Sequence, residues 1–428
     1  MDKASLFTLI EDHAKVLKAT PLETPREQID LLSSYLPLTH TIIITGLRRC
    51  GKSTLLKQLI QRHNLSNQIY YLNFEDERLI NFTVLDFDTL YQCFLELYGE
   101  RKIFCFDEIQ NIPEWERFIR RMHDWKIKSI ITGSNASLLS KELGTKLTGR
   151  NIPFELYPFS FREYLSHKKI EFKQKKFYST PEKALFIKNF KIYLKNGGLP
   201  EYLKENNKMI LQTIYDDILY RDIIIRYEIK DIKALRKLGF YLLSNIASLY
   251  SYNNLLKILP IGSISTLRNY IEYLENCYLF FSVERFSFSI KQQEVSPRKI
   301  YAIDNGIINA IGFQLSPNIG KLLENLVFIE LKRRRHQTQY EIYYYKTEHN
   351  LEVDFLIRHG NEITQLIQVT ENLSDPKTKN REIKALLEAM HETQCNNALI
   401  LTVEESEKIE VKNYTITVMP IYQWLLNL

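Results

Sequence analysis

Thr41-Ile42-Ile43-Ile44-Thr45-Gly46-Leu47-Arg48-Arg49-Cys50-Gly51-Lys52-Ser53-Thr54 is the stretch on which the reading of the whole chain turns. Its first half is a β-branched apolar run of the kind that forms a buried strand, and a helical pattern, Ser53 to Ile60, follows it. Between them lies Gly-x-x-x-x-Gly-Lys-Ser, in the strand, loop and helix setting that a phosphate cradle requires. Gly46 and Gly51 let the backbone of Leu47, Arg48, Arg49 and Cys50 wrap a polyphosphate with its N–H groups. Lys52 reaches the β and γ phosphates; Ser53, followed by Thr54, places a hydroxyl at the helix N-terminus as the expected Mg²⁺ ligand. Only 14 glycines occur in 428 residues, so two within one such window point to a backbone requirement.

A nucleotide hydrolase built on such a loop also needs a carboxylate for the metal's water shell and a base for the attacking water, at the end of a neighbouring strand. Ile103-Phe104-Cys105-Phe106-Asp107-Glu108 supplies both, Asp107 to support Mg²⁺ and Glu108 to polarise the water. A strand-borne glutamate favours ATP over GTP as the substrate. Another apolar run, Ser129-Ile130-Ile131-Thr132-Gly133, ends in Ser134 and Asn135, small polar groups where a γ-phosphate sensor would sit. Leu147-Thr148-Gly149-Arg150 then precedes the strand-like Ile152 to Leu156, which puts Arg150 at an expected subunit edge.

With these motifs in view, the chain resembles the AAA-type ATPases, in particular a large, mostly prokaryotic group with a carboxy-terminal domain of uncharacterised function. The resemblance rests on GLRRCGKS (46–53), YLNFEDERL (71–79), IFCFDEIQ (103–110), ITGSNASLLS (131–140), LTGR (147–150) and PFSFREYL (158–165), covering about residues 35 to 165. It implies a five-stranded parallel sheet. It also implies that Arg150 stands where an arginine finger enters a neighbour's ATP site, and that Asn73 restrains Glu108 until a ligand arrives.

The expected fold class is α/β: an AAA-type P-loop parallel sheet over 1–157, a helical lid over 158–220, a winged helix over 221–299 and a restriction-endonuclease-like α/β domain over 300–428. In the lid, the lysine-rich run from His167 to Lys176 reads as a solvated face or a phosphate-backbone contact. In the third segment, helix, turn, helix and wing succeed one another, so Ser265, Thr266, Arg268 and Asn269 would face a major groove, or the module would dock a protein instead.

The last segment reads helix, three strands, helix, strand, and looks like the core of the restriction-endonuclease-like superfamily. That resemblance matches Glu324, Asp354 and Gln368 to the Mg²⁺ side of an active site, where carboxylates hold the metal and a lysine beside them offsets developing charge. Thr370 stands where the lysine belongs. Lys346 and Lys384 are the candidates to replace it, and nuclease activity is not expected.

Composition narrows the partners. The 57 Lys and Arg against 51 Asp and Glu give +6, which permits DNA binding without requiring it. Five scattered cysteines without a CxxC pair exclude a zinc ribbon and argue against a disulfide framework. No apolar run approaches a bilayer span and no secretory leader is visible, so a cytoplasmic protein without membrane association is expected. The expected ligands are ATP and Mg²⁺, with self-association through Arg150. Two larger readings stay open: ATP-driven action on DNA, or a nucleotide-switched protein-docking module with a degenerate nuclease-like domain.

Overall fold

Ile42, Ile43 and Ile44 have no polar face to offer water, so their strand runs through the middle of a sheet covered on both sides. The computed structural model describes residues 1–19, 23–134, 149–172, 179–313 and 318–426. In it, β1 (Thr41–Gly46), β2 (Ile69–Asn73), β3 (Ile103–Asp107), β4 (Lys128–Gly133) and β5 (Asn151–Leu156) form one sheet in the order β2-β3-β4-β1-β5. Every neighbouring pair is parallel, as the resemblance implied. The register sets Ile44 beside Thr132 and Asn73 beside Asp107, which brings the carboxyl ends of the central strands level.

Helices cover this sheet because their apolar residues recur every three to four positions. The helix Lys52–Arg62 buries Leu55, Leu56, Leu59 and Ile60, and Phe87–Tyr98 buries Phe87, Leu90, Cys93 and Phe94. Leu6, Leu9 and Ile10 of the helix Lys3–Ala19 complete a core rich in phenylalanine, in which Phe87 and Phe118 stack at 4.5 Å. Truncating a residue such as Phe106 to alanine there removes about 3–5 kcal/mol.

The chain divides into two compact units, Met1–Leu156 and Tyr157–Leu428. The second opens with the helices Phe161–His167 and Thr180–Asn196, whose starts are fixed by reciprocal capping of Ser160 with Glu163 and of Ser179 with Glu182. The helices Pro200–Glu205 and Lys208–Asp217 come next, and the latter continues without a break into the π-helical Ile218–Ile225. Residues 173–176 of the lysine-rich run lie outside the described residues. Beyond them in the chain stand the helix Ile232–Ser244, β6 (Ser248–Tyr250), the helices Tyr252–Ile258 and Ile264–Asn276, β7 (Phe280–Val283) and β8 (Arg298–Ala302). These strands form an antiparallel sheet in the order β6-β8-β7.

The helix Ile319–Thr338 leads into β9 (Glu341–Lys346), β10 (Glu352–His359), β11 (Glu362–Val369), the helix Pro376–Thr393, β12 (Ala398–Thr402), β13 (Glu407–Val411) and β14 (Tyr414–Pro420). The six strands lie in the order β13-β14-β12-β11-β10-β9, so helix, three strands, helix, strand is found as read from the sequence.

Two expected boundaries fall inside continuous elements. The one between 220 and 221 falls inside the continuous π-helical stretch, and the one between 299 and 300 cuts β8. The physical reason for the second is register: Lys299 pairs with Leu249 and Val283, and Ile300 with Ser248 and Ser282, so the strand cannot be divided without breaking the small sheet. That sheet is also interlocked with the helix Ile319–Thr338 and with β9, because Tyr301 stacks on Phe328 at 4.3 Å and the Phe286 N–H donates to the Tyr344 carbonyl at 2.8 Å.

Candidate functional site

The loop after β1 turns sharply. Gly46 has φ 146°, and a Cβ placed on it would lie 2.2 Å from the Leu156 carbonyl oxygen, so no side chain fits beside β5. Arg49 and Gly51 also adopt positive φ, which curls the loop around the N-terminus of the helix Lys52–Arg62. Cys50 is buried, with Sγ 3.5 Å from the Leu156 carbonyl oxygen, and its own carbonyl accepts from Arg26 Nη1 at 2.8 Å. Arg48 pairs with Glu75 at 3.0 Å.

Lys52 is only 4% exposed. Its Nζ donates to the Gly46 and Leu47 carbonyls at 3.2 and 3.1 Å and lies 3.5 Å from Glu108 Oε1. Asp107, at the end of β3, accepts from Thr132 Oγ1 and, more weakly at 3.4 Å, from the Tyr71 hydroxyl. The Ser53 hydroxyl, like that of Thr132, favours its ionised form. Burial and the charge of Glu108 raise the Asp107 carboxyl above its ordinary range. Glu108 sits at φ 50° and its N–H donates to Thr132 Oγ1 at 3.1 Å. Burial would push its carboxyl up, but Lys52, the Gln110 amide and Arg48 outweigh burial and hold it below the usual glutamate range. Glu108 is therefore ionised at neutral pH.

Ser134 is buried and its hydroxyl lies 3.5 Å from Gln110 Nε2; Asn135 lies outside the described residues. Asn73 does not restrain Glu108. Its Oδ1 is occupied by the Glu75 N–H at 3.0 Å, because the chain bends just after β2 and captures the side chain locally. The residue on Glu108 is Gln110, whose Nε2 donates to Glu108 Oε2. Arg150 stands at the opposite edge of the sheet: its carbonyl accepts from the Thr41 N–H, and its guanidinium pairs with Asp124 at 2.7 Å. Five strand residues separate that edge from Gly46, about 16 Å.

In the second unit Glu324, Asp354 and Gln368 are brought together, but around a lysine that sequence reasoning missed. Lys299 Nζ lies 2.8 Å from Glu324 Oε1, 3.0 Å from Asp354 Oδ1 and 2.7 Å from Glu352 Oε1, and Tyr301 donates its hydroxyl to Glu324 Oε1 at 2.7 Å. Gln368 Oε1 accepts the Asp354 N–H at 3.1 Å, while its Nε2 donates to Glu382. Thr370 Oγ1 donates to the Asn372 carbonyl at 3.3 Å, Lys346 lies 3.8 Å from Glu352, and Lys384 is exposed. On the helix Ile264–Asn276, Ser265, Arg268 and Asn269 are exposed and Thr266 half-buried, with the Arg268 guanidinium 5.0 Å from the centre of the Tyr252 ring.

Residues 39–165 match the model of the AAA domain, 187–318 that of a domain of unknown function (DUF8612), and 319–424 that of a second domain of unknown function (DUF4143). The chain is 37% identical over 442 residues to "Uncharacterized protein MJ1544" of Methanocaldococcus jannaschii, an alignment covering 100% of this chain and 96% of that one. The chain belongs to this family of AAA-domain proteins. A Haemophilus influenzae relative is 31% identical over 399 residues, covering 90% and 94% of the two chains. Among solved structures, the Walker-type ATPase paby2304 of Pyrococcus abyssi is similar with a TM-score of 0.43 and 15% identity, covering 69% of this chain and 99% of that one.

For a member of this AAA-domain family, two residues carried signals that were there to read. Gln110 lies two positions after Glu108, within reach of its carboxylate across the turn. Lys299 is a charged residue inside an otherwise apolar strand, two positions from Tyr301 and hence on the same face.

Proposed function

We propose that the chain is an ATP hydrolase of the AAA type in which Lys52 binds the β and γ phosphates, Glu108 is the base and Arg150 acts on a neighbouring copy, and that its nucleotide state governs DNA held by the second unit. The observation that carries the hydrolase is the convergence of Lys52, Ser53, Asp107, Glu108, Thr132 and Ser134 at the carboxyl ends of β1, β3 and β4. Lys52 donates to two loop carbonyls, which are weak partners for a buried ammonium. Phosphate oxygens replace them with charge-assisted bonds.

The Ser53 hydroxyl, at the start of its helix, and the Asp107 carboxylate, at the end of β3, are a donor set that fits Mg²⁺ and would hold it; the metal, when bound, neutralises charge on the phosphate oxygens. Ionised Glu108 accepts a proton from the attacking water as its oxygen closes on the γ phosphorus. Gln110 joins Glu108 to Ser134, so the base and the γ-phosphate end of the site are linked through one amide.

The DNA reading draws support from the sheet β6-β8-β7 with three helices before its wing, a winged-helix order, and from the exposed first turn at Ser265, Arg268 and Asn269. A six-stranded sheet of nuclease-like element order comes after it in the chain. A protein-docking reading is favoured by one feature: Phe288, Ile290 and Val295, between β7 and β8, are 75%, 78% and 75% exposed. Fluorescence anisotropy with labelled duplex and single-stranded DNA, at low and high salt and with and without ATP, decides between them. Phosphate contacts make affinity fall steeply with salt. The DNA reading is abandoned if no salt-sensitive binding appears in any nucleotide state.

A further inference from the structure

The resemblance of the last segment to nucleases asks for Mg²⁺ between Glu324, Asp354 and Gln368, and the residues do not fit it. The centre of the cluster is filled by the Lys299 ammonium, which has three N–H donors and three carboxylate oxygens within 3.0 Å. Other acceptors of the cluster are engaged as well. Glu324 Oε1 takes the Tyr301 hydroxyl as well, Asp354 Oδ2 accepts the Val369 N–H at 2.9 Å, and the Gln368 carbonyl is turned onto the Asp354 N–H. Among the described residues no group of three or more His, Cys, Asp or Glu is placed to hold a metal ion.

We infer that Lys299 is the resident cation of this centre: its ammonium is held by Glu324, Glu352 and Asp354 and takes the place that a divalent metal would need. A second positive centre a few ångströms from a buried ammonium is repelled in a medium of low dielectric, and Mg²⁺ or Mn²⁺ would have to strip those oxygens from the lysine to reach its own short ligand distances of about 2.0–2.1 Å. Lys299 comes from β8, whereas its carboxylates come from the helix Ile319–Thr338 and from β10. The lysine therefore also pins the three-stranded sheet to the six-stranded one, a task that a diffusible metal in the same place would leave to its own occupancy.

The inference is independent of the nucleotide site and is tested without nucleotide. Mn²⁺ is titrated into the full chain and bound ion counted by electron paramagnetic resonance. The unaltered chain is expected to bind none at this centre, so that Asp354→Asn leaves the count of bound Mn²⁺ unchanged. If the unaltered chain binds one Mn²⁺ that Asp354→Asn abolishes, the resident-cation assignment is overturned, and this arm needs no Lys299 variant to fold. Lys299→Met, which keeps the volume without the charge, is expected to lower the thermal midpoint of unfolding or to leave the chain unfolded, and Lys299→Arg, which keeps the charge, to restore it; a Lys299→Met chain that melts with the unaltered one overturns the role of the cation.

Discussion

The two units each bury a lysine beside carboxylates, and the two sites behave oppositely. Lys52 donates to two neutral carbonyls and lies 3.5 Å from the Glu108 carboxylate. Lys299 is held by three carboxylates within 3.0 Å. The first ammonium gains when an anion arrives, because poor partners are exchanged for charged oxygens. The second has nothing to gain, since its charge is already answered. A buried cation reads as a binding site when its partners are weaker than the ligand, and as a fastening when they are not.

The strongest way to break that comparison is to remove each charge. Lys52→Ala is expected to abolish nucleotide binding, measured with a fluorescent ATP analogue, while leaving the thermal midpoint of unfolding nearly unchanged. Glu108→Gln should still bind ATP and lose about 10²–10⁴-fold in turnover, the usual contribution of a general base. Normal turnover in Glu108→Gln would reject Glu108 as the base. Lys299→Ala should show the converse pattern. ATP turnover persists, but about 3–5 kcal/mol of stability of the second unit is lost, because the buried carboxylates of Glu324 and Asp354 are left around a missing charge.

Next in size is Arg150, which lies about 16 Å along the sheet from its own loop and pairs only with the surface carboxylate Asp124 among the contacts described for its side chain. An exposed pair of this kind is worth little, so the arginine is available to a neighbour. Arg150→Ala should bind ATP normally and lose on the order of 10³-fold in turnover. Mixing Arg150→Ala with Lys52→Ala chains should restore activity, because each supplies what the other lacks. An inactive mixture that elutes as a monomer in ATP rejects action in trans.

A smaller effect belongs to Gln110. A hydrogen bond contributes a net ~0.5–1.5 kcal/mol, so Gln110→Leu should change turnover several-fold with ATP affinity intact. The Asn73→Leu change should leave turnover alone. Equal effects of the two would return the restraining role to Asn73.

This contrast also marks where the sequence was legible. Gly46, Gly51, Lys52, Asp107 and Glu108 announce themselves because phosphate chemistry demands fixed residue types at fixed spacing around one strand and one loop. The five-stranded sheet was implied by the family resemblance that these motifs carry. Gln110 was overlooked because a family expectation pointed to β2, while the turn after Glu108 brought an amide from closer along the chain. Lys299 was illegible for a different reason: its partners are 25, 53 and 55 positions away, and only the docking of β8 on β10 and the helix Ile319–Thr338 places them together. An expected boundary drawn through that strand hid the link.

The smallest expected effect tests how deep that hidden link goes. If the nuclease-like centre lacked only the lysine missing from position 370, Thr370→Lys would create Mg²⁺- or Mn²⁺-dependent cleavage of plasmid DNA. With Lys299 already seated among Glu324, Glu352 and Asp354, a further ammonium adds positive charge to a centre that holds one, and the carbonyl of Gln368 stays turned onto the Asp354 backbone. Thr370→Lys should therefore cleave no more than the unaltered chain, and neither should cleave measurably. Cleavage gained in Thr370→Lys and lost in Thr370→Lys with Asp354→Ala would mean that the carboxylates give up Lys299 readily to a metal, and the difference between the two buried lysines would then be one of degree.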